Sequence, residues 1–225
     1  MRFLCLHGAG TSTQVLETQT AALRYELEQY HTFDFVEGIV KYPMAPAEIK
    51  SFFPADDQYF AYFSHDSAES LRTALLDFST FLGLEGPYDA VLAFSHGASL
   101  ISTYILQRLL NHPSAPLPFK CAVFISGTYP LDPRALEAGE FRVLKGPEEG
   151  LPLLPLPTAH VWDITDRVCP GGGQALWDMC KDSESWKALH HEGHNVPSAR
   201  SKKDIIQAVR VIQRAVDRSS SVRAH

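Results

Sequence analysis

Long apolar runs are missing from this sequence. A helix that crosses a bilayer needs about 20 consecutive apolar residues, and no stretch of the 225 residues approaches that length. A secretory leader is not expected either. The opening "MRFLCLHGAG" has too short an apolar segment for a signal core, and His7-Gly8 breaks it at once. There is no CxxC pair: Cys5, Cys121, Cys169 and Cys180 are scattered, which gives no support to a zinc ribbon or a thioredoxin-type motif. Cys5 and Cys121 fall inside strand-like runs, where cysteine acts as a small hydrophobe. All four are expected as free thiols, with the cytoplasm as the expected compartment. An excess of positive charge is also absent, since 20 Lys and Arg stand against 26 Asp and Glu for a formal net charge of −6. Nucleic acid and anionic membrane surfaces favour basic partners, so neither is expected here. No internal repeat is visible.

What is present is an ordinary globular composition, 45% hydrophobic and 20% charged, in a chain long enough to bury roughly 70–75% of its unfolded surface. Six apolar segments read as strands: "RFLCLH" (2–7), "TFDFVEG" (32–38), "YDAVLAF" (88–94), "FKCAVFIS" (119–126), "TAHVWDI" (158–164) and "WKALHHE" (186–192). Between them the 3.6-residue period predicts helices over about 13–30, 67–84, 96–112, 173–183 and 202–215. Strands alternating with helices, several of them apolar on both faces, imply an α/β fold: a mostly parallel six-stranded sheet covered by helices on both sides. One domain is expected over residues 1–217, with "RSSSVRAH" (218–225) as a disordered tail. Two irregular segments, 39–65 and 127–157, are expected to form pocket or lid structures. The first is rich in proline and aromatics, and the second holds six prolines.

In open α/β sheets, chemistry collects at the carboxyl ends of the strands. Ser95 stands at such a point, with a strand before it, a helix after it, and Ala93 and Gly97 on either side. Small flanking residues let backbones crowd around a sharp strand-to-helix turn, as in the nucleophile elbow G-x-S-x-G, here with alanine first. The plain alternative is a serine helix cap. A nucleophilic serine needs a base, and the base needs an orienting acid. "DITDRVCP" after the fifth strand offers Asp163 at the strand end and Asp166 in the loop beyond. "HHEGHNVP" after the sixth offers His190, His191 and, following Gly193, His194. A zinc site is not expected there, because adjacent His190 and His191 point to opposite faces of a strand and the spacing is not H-E-x-x-H. "PGGGQ" (170–174) lacks the Lys-Ser/Thr of a phosphate loop, and no cofactor is expected. Acyl chemistry also needs N–H donors for a developing oxyanion. The backbone amide of His96, at a helix N-terminus, and that of Ala9, in "HGAG" (7–10), are the candidates. Phe52, Phe53, Tyr59 and Phe60, with Tyr62 and Phe63, are candidates for an apolar acyl-binding wall.

Taken in order, "FLCLHGAGTS", "FVEG", "GPYDAVLAFSHGASL", "FISG", "HVWDITDRVCP" and "HEGHNVP" resemble the FSH group of serine hydrolases over nearly the whole chain. That group comprises compact α/β-hydrolases and includes fungal enzymes of polyketide pathways. The resemblance implies the α/β-hydrolase fold, with Ser95 as nucleophile, Asp166 as acid and His194 as base. It favours Asp166 over Asp163, which stands where the family has a glycine-like turn position. This chain departs from the family pattern at Ala93 for the usual glycine, His96 for the usual glutamine, Asp163 for a small residue, and Glu192-Gly193 for a Gly-Gly-type pair. The implied reaction is ester or thioester hydrolysis through an acyl-serine, foremost as a thioesterase releasing a polyketide or acyl product. A general short-chain carboxylesterase is the alternative. A cyclisation-assisting or non-catalytic binding protein on the same fold would be a different class. The implied partner is a small-molecule acyl substrate or one bound to a carrier protein, such as the acyl carrier domain of a polyketide synthase. Carrier proteins are commonly acidic and so is this chain, so net charge supplies no steering.

Overall fold

A strand apolar on both faces must be covered on both faces, and the computed structural model shows that arrangement. It describes residues 1–45, 58–180 and 184–221. The elements in chain order are β1 (Arg2–Leu6), α1 (Thr13–Leu27), β2 (Thr32–Val36), β3 (Val40–Lys41), β4 (Phe60–Ala61), α2 (Ala68–Glu85), β5 (Ala90–Phe94), α3 (His96–Asn111), β6 (Cys121–Ile125), α4 (Pro133–Glu137), β7 (Thr158–Trp162), α5 (Gly172–Asp178), β8 (Ser185–Leu189) and α6 (Lys202–Ser221). Six strands form one parallel sheet in the order β2-β1-β5-β6-β7-β8.

The period of two along each strand sorts side chains into two cores. Leu4, Leu6, Val91, Ala93 and Phe124 face α2 and α3, in a core that includes Leu71, Phe78, Leu100 and Ile101. Phe3, Cys5, Leu92, Val123 and Ile125 face the other way, onto Leu16 and Leu23 of α1 and Ile205, Val209 and Ile212 of α6. Every residue of β5, β6 and β7 is buried, which explains their unbroken apolar runs. The chain leaves β1 outward to β2, then returns across it to β5. The order therefore reverses between β1 and β5, the place where open α/β sheets leave a crevice.

The structure departs from the sequence reading in several places. Within 39–65, β3 and β4 pair antiparallel as a second small sheet. Within 127–157, α4 forms where Asp132 caps the Arg134 amide and Pro133 occupies the first turn. Strand β8 stops at Leu189. Helix α6 continues through Ser221, so residues 218–221, expected in a disordered tail, are helical. An Arg218–Glu184 ion pair at 2.7 Å fastens that last turn beside β8. Among the described residues no helix is long and apolar enough to cross a membrane.

Candidate active site

Ser95 sits directly after β5 and directly before α3, and its backbone is where the turn is paid for: φ is 50° and ψ is −113°. A non-glycine residue held in such a sparsely populated region costs on the order of 1–3 kcal/mol, and surrounding structure must enforce it. It does. The Ser95 amide still donates to Ile125 O at 3.0 Å, Gly97 N donates to His7 O at 3.2 Å, and the Thr128 hydroxyl donates to Ser95 O at 3.0 Å. A Cβ at Gly97 would lie 2.7 Å from Leu6 Cβ and 2.8 Å from Leu6 O, so α3 approaches β1 this closely only over glycine. Ala93 is fully buried and has an ordinary backbone, so alanine is accommodated there without strain.

His194 follows Gly193, whose φ of 65° reverses the chain after β8. Its Nε2 lies 2.7 Å from Ser95 Oγ and its Nδ1 lies 2.5 Å from Asp166 Oδ2. The carboxylate can only accept, so Nδ1 carries a proton and Nε2 is left to take one from the serine; the tautomer is assigned from these partners. Asp166 Oδ1 accepts the amides of Val168 at 2.8 Å and Cys169 at 3.2 Å. Burial pushes the Asp166 carboxyl up, but the hydrogen bond and charge of His194 and the two amides outweigh it, and it lies below its ordinary value. It is therefore ionised beside the imidazole.

Asp163 is occupied elsewhere. Its Oδ1 accepts the amide and the hydroxyl of Thr165, both at 2.7 Å, and its Oδ2 accepts the Gly193 amide at 2.8 Å. It ties the loop after β7 to the loop that carries His194. His190 is buried, with its Nδ1 accepting the Glu192 amide, and His191 is exposed. Among the described residues no group of three or more His, Cys, Asp or Glu side chains is arranged to hold a metal ion.

Ala9 and His96, whose amides were expected as the oxyanion donors, both line the cleft in front of Ser95. The His96 side chain is buried against the Phe63 ring at 4.0 Å and lies 5.1 Å from the His65 ring, and its Nε2 accepts the Phe63 amide at 3.4 Å. Burial, reinforced by His65 and His7, pushes it down to about 3. At neutral pH it adds polarity to the cleft wall but no charge.

The cleft encloses about 740 Å³. Tyr42, Met44, Phe63, Leu131, Phe141 and Val143 supply much of its wall, and no Lys or Arg lines it among the described residues. Of the aromatics expected there, Phe63 takes part. Tyr59 and Phe60 do not. Tyr59 is buried with Val15, beneath Met44 and Ala45, and Phe60 spends its backbone on the 8–11 loop, accepting from Gly10 N and donating to Thr11 O, both at 2.9 Å. Phe52 and Phe53 lie outside the described residues. Leu131, Phe141 and Val143 come from 127–157, the segment expected to shape the pocket, but no residue within it was singled out.

A family model described as "Serine hydrolase (FSH1)" matches residues 1–206. The chain belongs to that family. Esterase FPY3 of Fusarium mangiferae is 36% identical over 221 residues, covering 96% of this chain and 99% of that protein. Hydrolase phiM of Fungal sp. (strain ATCC 74256) is 29% identical over 201 residues, 87% of this chain and 86% of that one. Among solved structures, Arabidopsis thaliana SOBER1 superposes with a TM-score of 0.60 at 17% identity, covering 96% of this chain and 99% of that chain. At that identity the likeness speaks for the fold alone, the α/β-hydrolase fold. This FSH1-family member is a serine hydrolase.

Proposed function

We propose that this hydrolase cleaves a thioester or ester of an apolar acyl group through an acyl-Ser95 intermediate, and that its natural role is to release a polyketide or related acyl product from a carrier-bound thioester. One observation carries the reading: the unbroken hydrogen-bonded line Ser95–His194–Asp166 opens onto a largely apolar cleft. His194 Nε2 takes the Ser95 proton as Oγ bonds to the carbonyl carbon. Asp166 holds the imidazolium that forms. The Ala9 and His96 amides receive the negative carbonyl oxygen. When the tetrahedral adduct collapses, the bond to the leaving thiol or alcohol breaks and His194 returns its proton to that group. Water then repeats the sequence on the acyl-serine and frees the acid. The apolar side chains of Tyr42, Met44, Phe63, Leu131, Phe141 and Val143 along the cleft support an uncharged apolar acyl group. Oxygen-ester hydrolysis is the competing reading, supported by the name of the relative called an esterase.

A fluorophosphonate probe tests the nucleophile: it should label the wild type and leave Ser95→Ala unlabelled, and equal labelling of the two would sink the mechanism. An acyl-carrier thioester compared with nitrophenyl esters tests the role. Turnover of the esters alone would leave a general carboxylesterase.

A further inference from the structure

The Ala9 amide belongs to the same peptide unit as the Gly8 carbonyl, and that bond is trans. A planar trans peptide points its C=O and N–H in opposite directions. Whatever grips the Gly8 oxygen therefore sets where the Ala9 N–H points. The grip is double. The Thr11 hydroxyl donates to Gly8 O at 2.6 Å, and His7 Nδ1 donates to it at 2.7 Å. Thr11 is 2% exposed and His7 is fully buried. Since a carbonyl only accepts, Nδ1 carries the ring proton.

The far side of the His7 ring is held as well. Its Nε2 accepts the Gly38 amide at 2.9 Å, and Glu37 Oε1 stands 2.8 Å from the same nitrogen, a contact that becomes a hydrogen bond only when Nε2 carries a proton in its turn. Glu37 is fastened in turn by the Thr13 amide at 3.0 Å and the Thr13 hydroxyl at 3.2 Å. Burial pushes the Glu37 carboxyl up, but His7 and Thr13 outweigh it and it lies below its ordinary value. The Tyr62 hydroxyl receives the His7 amide at 2.8 Å and donates to Val36 O at 2.9 Å. A line of contacts thus runs from the start of α1 through Glu37 and His7 to the Gly8 carbonyl, and Thr11 closes it from the other side.

We infer that Thr11, with His7 and Glu37 behind it, is a positioning residue that aims the Ala9 amide at the acyl oxygen. The inference rests on the proposed role of Ala9 as an oxyanion donor. Gly10 is fixed by its amide on Phe60 O at 2.9 Å and its carbonyl on the Ala45 amide at 2.8 Å, but Gly8, without a Cβ, leaves the peptide unit between it and Ala9 a low barrier to rotation. A peptide unit released by its anchors would turn the carbonyl, its negative end, toward the developing oxyanion. The anchors matter most when that charge exists, so their effect belongs to kcat rather than to ground-state binding.

The experiment compares Thr11→Val, which keeps the shape and loses the donor, with Thr11→Ser, which keeps the donor. It measures nitrophenyl ester hydrolysis and inhibition by a trifluoromethyl ketone, whose adduct with serine carries an oxyanion. Removing an oxyanion donor outright costs about 10²–10³ in kcat, and a misaimed donor should cost a part of that. Thr11→Val should lose about tenfold or more in kcat, keep KM within about twofold, and lose ketone affinity in parallel; Thr11→Ser should recover most of both. Wild-type kcat and ketone affinity in a folded Thr11→Val would overturn the inference, as would equal loss in the serine variant. If Thr11→Val fails to fold, Glu37→Ala decides: the side chain is part-exposed, its loss removes the contact behind the His7 ring, and kcat should fall at unchanged KM, whereas wild-type kcat in the folded variant overturns the inference. Fluorophosphonate labelling of the wild type separates the two levels. An unlabelled wild type refutes the hydrolytic mechanism itself. A labelled wild type beside an unaffected Thr11→Val refutes only the positioning role.

Discussion

Asp163 and Asp166 follow the same strand, are both largely buried and each accept the amide two residues on, yet their second oxygens face different partners. Asp166 receives the His194 Nδ1–H, while Asp163 receives Thr165 and the Gly193 amide. Both carboxyls lie below their ordinary value against the push of burial, Asp163 through Thr165, Gly193 and the nearby His190. Substitution should separate the two roles. Asp166→Asn presents an amide where the imidazole needs an acceptor, and kcat should fall by about 10²–10⁴ with little change in folding stability. Asp163→Asn cannot satisfy both Thr165 and the Gly193 amide, and a buried donor left unpaired costs about 1–3 kcal/mol. Its stability should fall by that order while kcat drops less than about tenfold. Paired measurements of kcat and urea midpoint check this, and the reverse order would exchange the assignments. Residue type and order by themselves left both carboxylates open, because direction after a strand end is decided by the turn, and it was the family resemblance that favoured Asp166. Turn chemistry does not separate them, because each carboxylate accepts the amide two residues on; they are separated by where the second oxygen faces, Asp166 Oδ2 toward His194 and Asp163 Oδ2 toward the Gly193 amide.

At the level of elements, the β5–α3 turn stores strain at Ser95 and depends on Gly97 for clearance. Gly97→Ala forces α3 away from Leu6 and His7, displacing Ser95 and the His96 amide together. It should cost about 1–3 kcal/mol of stability through overpacking and lower kcat by at least about tenfold. Ala93→Gly removes no needed contact geometry and should stay within about 1 kcal/mol of wild type. Melting curves and initial rates check both, and a fully active, stable Gly97→Ala would mean that the close approach is not required. The strands were legible because apolar runs in β5, β6 and β7 are buried on both faces and little competes with that signal. The short elements were not. Two-residue β3 and β4 pair with each other, and Gly10 and Thr11 bond to Phe60 of β4 while Ala45 bonds to Gly10; no local pattern encodes pairing across that distance. The end of α6 was missed for the same reason, since Arg218 finds Glu184 only in the folded chain. The cleft wall was misplaced: aromatics at 59 and 60 looked available, but Tyr59 packs on Val15 and the Phe60 backbone bonds to Gly10 and Thr11, and the wall passes to Tyr42, Met44 and Phe63.

Across the whole molecule, three buried histidines make stability sensitive to mild acid. Burial, with His65 and His7, pushes His96 down to about 3, and burial with Lys187 does the same to His160. His190 is lowered as well, chiefly by burial. A histidine whose folded value lies below its unfolded value binds its proton first in the unfolded chain. Stability is therefore unaffected above about pH 6.5 and falls as pH drops from there toward the folded value, by up to about 1.4 kcal/mol per pH unit for each such group. The lowered carboxyls of Glu37, Asp163 and Asp166 act in a different window. Their contribution is present above the ordinary carboxylate range, near about pH 4, and is lost only as pH falls through and below it. Between about pH 6.5 and 5 the slope belongs to the histidines alone. The urea midpoint of the wild type should hold steady from pH 8 to 7 and then fall steadily to pH 5. Replacing His160, whose Nε2 pairs with Thr158 Oγ1 at 3.0 Å, by glutamine should lower the midpoint at pH 7 and flatten the slope below pH 6.5 by about one proton. An unchanged slope in His160→Gln, or a wild-type midpoint equal at pH 7 and pH 5, would show that these imidazoles are not the groups that set acid stability.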